Sequence, residues 1–292
     1  MIDVPLGPAG RVDVLSPTVR RILAPNPSVM TGPGTNTYLV GRAGEALAVI
    51  DPGPDDPAHL DAVAAAGAGT IRWILVTHTH PDHWPGAAGL AQRTGAPVLA
   101  YAARNGLEID GRLADGDTVE IPGAPLTVLH TPGHASDHLC LLLEAPGDVA
   151  TGRVLFTGDH VMHGSTVVIF PPDGDLAAYL RQLRRVLELA PAQLAPGHGQ
   201  LFDEPAVAVQ AIIDHRLARG EKIAAALQAA ARPVTVDELL SSVYDDVEPR
   251  RLPIARGSLW AHLRALVDDG RATTTAYDDL DGARWAAGPR GA

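Results

Sequence analysis

The chain has 292 residues, of which 46% are apolar and 20% are charged, and no strongly charged or Gly/Ser-rich block interrupts it. This composition excludes an intrinsically disordered protein and predicts a folded one, with one large domain and a smaller second part. The net charge of −11 opposes unaided binding to a polyanion, so any nucleic-acid role requires a local basic patch.

The apolar stretches of the sequence are short. The longest, such as Ala62–Ala66 and Leu139–Leu143, fall far short of the roughly 20 residues that a membrane-spanning helix needs. The start, MIDVPLGPAGRVDVL, lacks the basic and apolar regions of a secretory signal. The sequence therefore predicts a cytoplasmic protein without a membrane partner.

Short β-rich runs dominate the first two thirds of the chain and alternate with helical stretches. The β-rich runs are TNTYLV, ALAVID, WILVT, PVLAY, DTVEI, LTVLH, HLCLLLE and VLFTGD. The helical stretches are DDPAHLDAVAAAG, PGAAGLAQRTG and DLAAYLRQLRRVLELA, each closed by glycine or proline. The alternation predicts an α/β fold. Cys140, the only cysteine, lies in one of the runs and is predicted to be a buried core residue.

The character of the sequence changes near residue 203. An alanine-rich helical run follows, and TVDELLSSVY then begins like a capped helix, with Thr235 three residues before Glu238. IARGSLWAHLRALVDDG carries its apolar residues on one helical face, and RATTTAYDDLDGARWAA has two strand-like arms around an Asp/Gly-rich turn. We therefore predict a large domain at 1–203, a linking helix at 204–232 and a winged-helix-like domain at 233–292.

The segment LVTHTHPDHWPG crowds three histidines and one aspartate behind an apolar run. Alternate side chains of an extended segment share a face, so we expect His78 and His80 to converge. Pro85 favours a helix start, which places Asp82 and His83 at the bend between strand and helix. Imidazole and carboxylate together suit zinc or, less selectively, iron and manganese. The alternative is a histidine-rich surface loop, but converging imidazoles serve no packing purpose there.

Residues of metal-ligand type also end three later apolar runs. His134 follows LTVLHTPG, Asp159 follows VLFTG and His198 follows LAPG. Glycine precedes each of them, and glycine permits the sharp turn that brings a side chain to a shared centre. We expect these strand ends to form one rim with the HTHPDH segment and to complete a site for two metal ions.

These motifs resemble those of the metallo-β-lactamase superfamily. Its H-x-H-x-D-H signature is HTHPDH here, and its later motifs appear as TPGH, TGD and PGHG. The resemblance implies an αββα sandwich, with a small C-terminal winged-helix-like domain, and a centre of two divalent ions, zinc first, with iron or manganese as alternatives. We interpret Asp82 as a ligand that is also catalytic, because it could orient the attacking hydroxide and return a proton to the leaving atom. The implied ligands are His78, His80 and His134 for the first metal, Asp82, His83 and His198 for the second, and Asp159 between them.

The segments NPSVMTGPGTNTYLVG and HTPGHASDHLCLLLE extend the resemblance to the β-lactamase-like protein 2 branch. That branch contains a single-strand-selective endoribonuclease, and related proteins hydrolyse glutathione and acyl-carrier thioesters. The leading interpretation is therefore a metal-dependent hydrolase that cleaves single-stranded RNA. Hydrolysis of a small-molecule or acyl-carrier thioester is the alternative. A third interpretation is a winged-helix regulator with an inactive metal fold, which the complete ligand set disfavours.

Other polar residues are candidates for substrate contact. Asn36 and Tyr38 in GTNTYLV and His163 in GDHVMHG could reach the pocket, although alternation also fits Tyr38 as a half-buried strand residue. His59 and His262 are predicted to be surface residues of helices.

The C-terminal segment leaves two roles open. Arg250, Arg251, Arg256 and Arg264 lie at or within its predicted recognition helix, as in a nucleic-acid reader. From residue 233 to 292, however, seven arginines face ten acidic residues, which gives a charge of −3. The alternative is a domain that shapes the substrate channel or contributes to a homodimer contact.

Overall fold

The computed structural model of the chain describes residues 5–145, 152–164, 166–202 and 204–289. The chain divides into two compact units. The first comprises Met1–Thr131, Asp137–Val167 and Val186–Ala206, and the second Pro132–Ser136, Val168–Arg185 and Val207–Ala292. Residue 203, the predicted end of the large domain, lies outside the described residues. The predicted domain boundaries stay predictions.

Within the described part of the first unit, seven strands form one sheet in chain order. They are β1 (Val12–Val14), β2 (Val19–Leu23), β3 (Asn36–Val40), β4 (Leu47–Ile50), β5 (Ile71–Leu75), β6 (Val98–Ala100) and β7 (Gly111–Arg112). The first four pair antiparallel and the last four pair parallel. Parallel neighbours need a crossover connection, which α1 (Pro57–Gly67) and α2 (Gly86–Thr94) supply for β4–β5 and β5–β6.

The second sheet of this unit has, among the described residues, five strands in the order β12-β11-β10-β9-β8. They are β8 (Thr118–Val119), β9 (Leu126–His130), β10 (Leu139–Glu144), β11 (Arg153–Gly158) and β12 (Gln193–Pro196). Strands β11 and β12 pair parallel, and α3 (Leu176–Leu189) lies between them in the chain.

The two sheets share one apolar core. Inward residues of the first sheet, such as Val40 and Ile50, belong to the same buried cluster as Val128 and Phe156 of the second. Each fully buried side chain of this kind contributes about 1.5–3 kcal/mol to stability. Cys140, in β10, is fully buried, which confirms its predicted place in the interior. The sheets are therefore a rigid support for the loops at their edges.

A second apolar cluster covers the other face of the first sheet. Leu39 and Val49 pack there with Leu60 of α1 and Leu90 of α2. This sheet is therefore buried on both faces, as continuous apolar strands require.

The described C-terminal elements follow the predicted order of helix, helix and hairpin. They are α4 (Pro205–Ala229), α5 (Val236–Val243), a 3₁₀ helix (Pro249–Arg251), α6 (Leu252–Asp268) and the antiparallel pair β13 (Ala272–Thr274) and β14 (Trp285–Ala287). The capping box of α5 is present, because Thr235 and Glu238 each bind the other's backbone N–H. A buried cluster that includes Leu259, Leu263 and Trp285 joins these elements.

Two histidines lie elsewhere than the sequence predicted. His59 is only 2% exposed, and its Nε2 lies 3.0 Å from the hydroxyl of Thr37. His262 is only 3% exposed, because α6 is buried on most of its surface. The prediction of a surface position was wrong for both, since neighbouring elements cover these helices on more sides than their own sequence shows.

In the part of the chain that the structure describes, every helix is too short or too polar to cross a lipid bilayer.

Candidate metal centre

The candidate ligands follow the carboxyl ends of strands from both sheets. Asp82 and His83 lie in the loop between β5 and α2, and Asp159 comes directly after β11. His198 follows β12, and its backbone forms a β-bridge with Thr35, just before β3. The topology therefore brings these loops to one edge of the first unit.

Four of the predicted ligands meet at this edge. The candidate ligand atoms of Asp82, His83, Asp159 and His198 all lie within 4.8 Å of one another. His198 Nε2 is 3.1 Å from Asp82 Oδ2 and 3.3 Å from Asp159 Oδ1. His83 Nε2 is 3.3 Å from the same oxygen of Asp159 and 3.6 Å from Asp82 Oδ2. Two imidazoles thus face two carboxylates across a small space.

The outer ring nitrogens of both histidines have acceptors. Nδ1 of His83 lies 2.8 Å from Asp51 Oδ2, and Nδ1 of His198 lies 3.1 Å from the carbonyl of Gly34. These acceptors hold a proton on Nδ1, so Nε2 is the nitrogen that offers a lone pair to a metal ion when the ring is neutral. Both Nε2 atoms are buried and have no hydrogen-bond partner among the described residues. Nε2 lone pairs that face two carboxylates are suitable ligands for a divalent cation. The acceptors at Nδ1 fix the orientation of the two rings.

Asp51 anchors this arrangement from the end of β4. It is buried and accepts hydrogen bonds from both the backbone N–H and the hydroxyl of Thr77, at 2.8 Å each. Its φ of 51° is in the left-handed region, which non-glycine residues seldom adopt. Asp51 was not among the predicted site residues. Its position at the end of the apolar run ALAVID is a signal that could have identified it.

His78 and His80 lie beyond the end of β5, in irregular chain rather than in a strand. Their rings nevertheless converge, since Nε2 of His78 is 3.1 Å from Nδ1 of His80. Thr79 between them is held on the other side: its hydroxyl donates to Asp137 Oδ2 at 2.7 Å and accepts from Asn105 Nδ2 at 2.9 Å. Hydrogen bonds therefore hold the side chain of Thr79 away from the rings of His78 and His80.

His134 belongs to the second unit. It is 8% exposed, and its Nδ1 lies 2.6 Å from the carbonyl of Val168. That carbonyl accepts the Nδ1 proton, so Nε2 is the nitrogen of His134 that could bind a metal ion.

Two glycines beside the four-ligand cluster allow side chains to approach the backbone closely. A Cβ on Gly197 would lie 2.8 Å from His83 Cε1 and 2.9 Å from Asp159 Oδ1. Gly158 has φ +45°, and a Cβ there would lie 2.8 Å from His138 Nε2. Gly158 of TGD thus adopts the turn conformation that the sequence predicted, and Gly197 of PGHG allows the close approach of His83 and Asp159.

His138 supports the loop of Asp159. Its Nε2 accepts a hydrogen bond from the backbone N–H of Asp159 at 3.1 Å. The proton of the neutral ring is therefore on Nδ1, which lies 2.8 Å from the hydroxyl of Thr131. Both ring nitrogens are occupied, so His138 holds the loop rather than offering a ligand atom.

The charges of the cluster favour a cation between the carboxylates. Burial opposes ionisation of Asp159, but His198 and His83 hold its pKa well below the usual value. Burial likewise opposes charge on His198, but Asp159 and Asp82 raise its pKa to about 9. The pKa of His83 is also raised well above normal, against its burial, by Asp82, Asp159 and Asp51. A divalent cation satisfies the same electrostatic demand and displaces protons from its ligands.

The three predicted substrate contacts differ in exposure. Asn36 is buried and donates from Nδ2 to the carbonyls of Pro196 and Gly199, at 2.9 Å each. Tyr38 is buried and donates to the same Pro196 carbonyl at 2.8 Å. They hold the loop of His198, a role that the sequence analysis missed. His163 is exposed. Substrate contact by these residues stays a prediction.

Two packed sheets with a His/Asp cluster at one edge, and a C-terminal helix–helix–hairpin segment, define a class of metal-dependent hydrolases. The family comparison agrees. Residues 30–198 match the metallo-β-lactamase superfamily and residues 235–285 match the β-lactamase-associated winged helix domain. The chain belongs to the metallo-β-lactamase superfamily and carries this winged helix domain.

Individual relatives are similar over most of their length. The chain is 30% identical to a β-lactamase-like protein 2 homolog of Drosophila melanogaster, over 88% of this chain and 90% of that protein. It is 34% identical to an atrochrysone carboxyl ACP thioesterase of Aspergillus chevalieri, over 83% of this chain and 78% of that protein. A β-lactamase domain protein from Burkholderia ambifaria superposes with a TM-score of 0.78 at 25% identity, covering 98% of this chain and 97% of that one.

Proposed function

We propose that this hydrolase cleaves a thioester, with the acyl group carried on glutathione or on an acyl carrier. The proposal reverses the order of the two leading interpretations, which placed single-stranded RNA first. The observation that carries it is the charge pairing of the winged helix domain. The similarity to an ACP thioesterase over 83% of the chain supports the same direction.

The arginines that suggested RNA binding by the winged helix domain form ion pairs with aspartate and glutamate side chains. Every arginine that the structure describes beyond residue 233 lies within 4 Å of a carboxylate oxygen. Arg256 contacts Asp237 and Asp281 at 2.7 Å each, and Arg264 contacts Asp278 at 2.6 Å. Nucleic-acid affinity depends on cations that neutralise phosphates. Here phosphates would compete with carboxylates of the protein itself.

The proposed metal ligands are those of the family pattern. Asp82, His83 and His198 would hold one ion and Asp159 would bridge, which the four-residue cluster supports. His78, His80 and His134 are the remaining ligands that the family pattern implies, and we propose that they would hold the second ion. We propose zinc, since mixed imidazole and carboxylate ligands suit it, with iron and manganese as the alternatives.

When bound, two such ions would activate a water and polarise the scissile carbonyl. The residues of the chain then position and exchange protons. Asp82 is the more exposed of the two cluster carboxylates, with 23% of its side chain accessible against 10% for Asp159. Asp82 can therefore orient the attacking water and accept its proton, while Asp159 stays a ligand. A thiolate leaves readily because the pKa of a thiol is about 8.5, so the leaving group makes little demand on an acid.

A direct assay tests the proposal. Purified protein is incubated with S-lactoylglutathione, an acylated carrier protein and labelled single-stranded RNA, each with and without a chelator. We expect chelator-sensitive hydrolysis of a thioester and intact RNA. Chelator-sensitive RNA cleavage with both thioesters intact would restore the endoribonuclease interpretation. Operator-like DNA binding without turnover would instead favour the regulator.

Substitution of Asp82 supplies the matched test of mechanism. Asp82→Ala is expected to lower kcat at least 100-fold, the typical contribution of a positioned acid or base being about 10²–10⁴-fold. Asp61→Ala is the control, because Asp61 is exposed and forms a surface ion pair with Arg93. Cytoplasmic location and a homodimer also remain proposals, and size-exclusion chromatography with light scattering tests the second.

A further inference from the structure

We infer that helix α6 of the winged helix domain positions the candidate ligand His134 through the ring of Phe170. The inference rests on the proposed assignment of His134 to a metal. It gives the winged helix domain a role that needs no nucleic acid, and it identifies Phe170 and Gly257 as positioning residues.

The connection begins at a segment that we call the strap, residues 168–175. The strap is bound to the loop of His134 by several hydrogen bonds. The carbonyl of Val168 faces His134 Nδ1 at 2.6 Å, and the carboxylate of Asp173 accepts from the hydroxyl of Ser136 at 2.6 Å. The backbone N–H of Asp175 donates to the carbonyl of Gly133 at 2.8 Å. The strap therefore determines where the His134 ring points.

Phe170 fixes the middle of the strap to α6. A Cβ on Gly257 would lie 2.2 Å from Cδ2 of Phe170 and 2.7 Å from Cε2, so the ring lies against bare helix backbone. The ring also meets Trp260 edge-on, with centroids 6.1 Å apart and an interplanar angle of 81°. Phe170 is 50% exposed, so one side of it is held and the other is open.

Gly257 lies at a position where glycine lowers the stability of the helix. A glycine inside a helix destabilises it by roughly 0.5–1 kcal/mol relative to alanine. Gly257 is buried in α6, and the three heavy atoms nearest to a Cβ placed there all belong to the ring of Phe170. The close approach of this ring is thus the packing reason for the glycine.

Helix α6 is a firm base for the contact. Leu259 and Leu263 are fully buried in the cluster that also contains Trp285 of the hairpin. Only Ile169 lies between Val168 and Phe170, so displacement of the ring moves the carbonyl that holds His134. A partner that orients a metal-bound histidine typically changes metal affinity about 10–100-fold when it is altered.

The test measures metal affinity in the full-length protein. Zinc and Co²⁺ are titrated against a competing chelator into the unaltered protein, Phe170→Ala, Phe170→Leu and Gly257→Ala. In Phe170→Ala and Gly257→Ala we expect the affinity for one of the two metal ions to fall about 10-fold, and the affinity for the other to stay unchanged. Phe170→Leu should keep most of the affinity of the unaltered protein. Val207→Ala is the control, because Val207 is an exposed apolar residue of α4.

A double-mutant cycle distinguishes positioning from general loosening. In a His134→Ala background, Phe170→Ala should produce no further loss of metal affinity, because the site on which it acts is already lost. Unchanged affinities in both Phe170→Ala and Gly257→Ala, or an equal fall at both metals, would overturn the inference. The readout is independent of substrate. A protein that shows the affinity pattern and leaves thioesters intact would refute the proposed function alone.

Discussion

The carboxylate of Asp51 lies 2.8 Å from Nδ1 of His83 and also holds the backbone N–H of Thr77 at 2.8 Å. One buried group thus ties a candidate ligand to the end of the strand that precedes it. Asp51→Ala should weaken binding at that metal about 10–100-fold, the usual effect of removing such an orienting partner. Competitive metal titration measures it, with Asp61→Ala as the exposed control. Unaltered affinity in Asp51→Ala would show that His83 needs no orienting carboxylate.

The space at Gly197 is a second testable feature. Gly197→Ala places a methyl group within 3 Å of both His83 and Asp159, so we expect loss of one metal and of most hydrolytic activity. Gly220→Ala is the matched control. The nearest atom to its new Cβ is His262 Nδ1 at 3.7 Å, an ordinary contact, and the change should stabilise α4 by about 0.5–1 kcal/mol. Metal content and urea unfolding together check the pair, and full metal content in Gly197→Ala would contradict the prediction.

His262 predicts a pH dependence of stability. Its burial, together with Arg216, Arg219 and His215, lowers the pKa of His262 from 6.5 to about 3. Between these values the unfolded chain takes up a proton that the folded chain refuses, so stability falls as the pH drops below 6.5. His262→Gln removes this effect. Between pH 7 and pH 5 the unaltered protein should therefore lose about 2 kcal/mol more of its unfolding free energy than His262→Gln does.

Urea denaturation at the two pH values measures that shift. A difference that stays constant with pH would mean that His262 is protonated in the folded protein.

Metal removal should destabilise the first unit. A ligand present at 1,000 times its Kd contributes about 4 kcal/mol to stability, so a chelator is expected to lower the Tm of the metal-loaded protein markedly. The variant Asp159→Ala, which lacks the bridging carboxylate, should respond much less. Scanning calorimetry with and without chelator compares them. Equal responses would remove Asp159 from the ligand set.

The sequence was most informative where ligand chemistry is concentrated. HTHPDH, TGD and PGHG each end an apolar run, and the strand ends were expected to form one rim, so the cluster of Asp82, His83, Asp159 and His198 could be anticipated. The capping box at Thr235 is equally local, because both partners lie within four residues. Helix, helix and hairpin followed from patterns of the same short range.

The remainder depends on contacts between distant residues. The neighbours of Asn36 at Pro196 and Gly199 are about 160 positions away, and no local pattern announces them. His262 looks like a surface residue on its own helix, since only the packing of neighbouring elements buries it. The match between Phe170 and Gly257 likewise appears only once the chain is folded.

The four clustered ligands come from both sheets: Asp82 and His83 follow β5 of the first sheet, whereas Asp159 follows β11 and His198 follows β12 of the second. An ion bound by all four residues would cross-link the two sheets along this edge, which we call the seam. The seam would then be the first place to open when the ion is withdrawn. The lifetime of this protein in a cell that starves it of metal should accordingly be set by proteases that enter there.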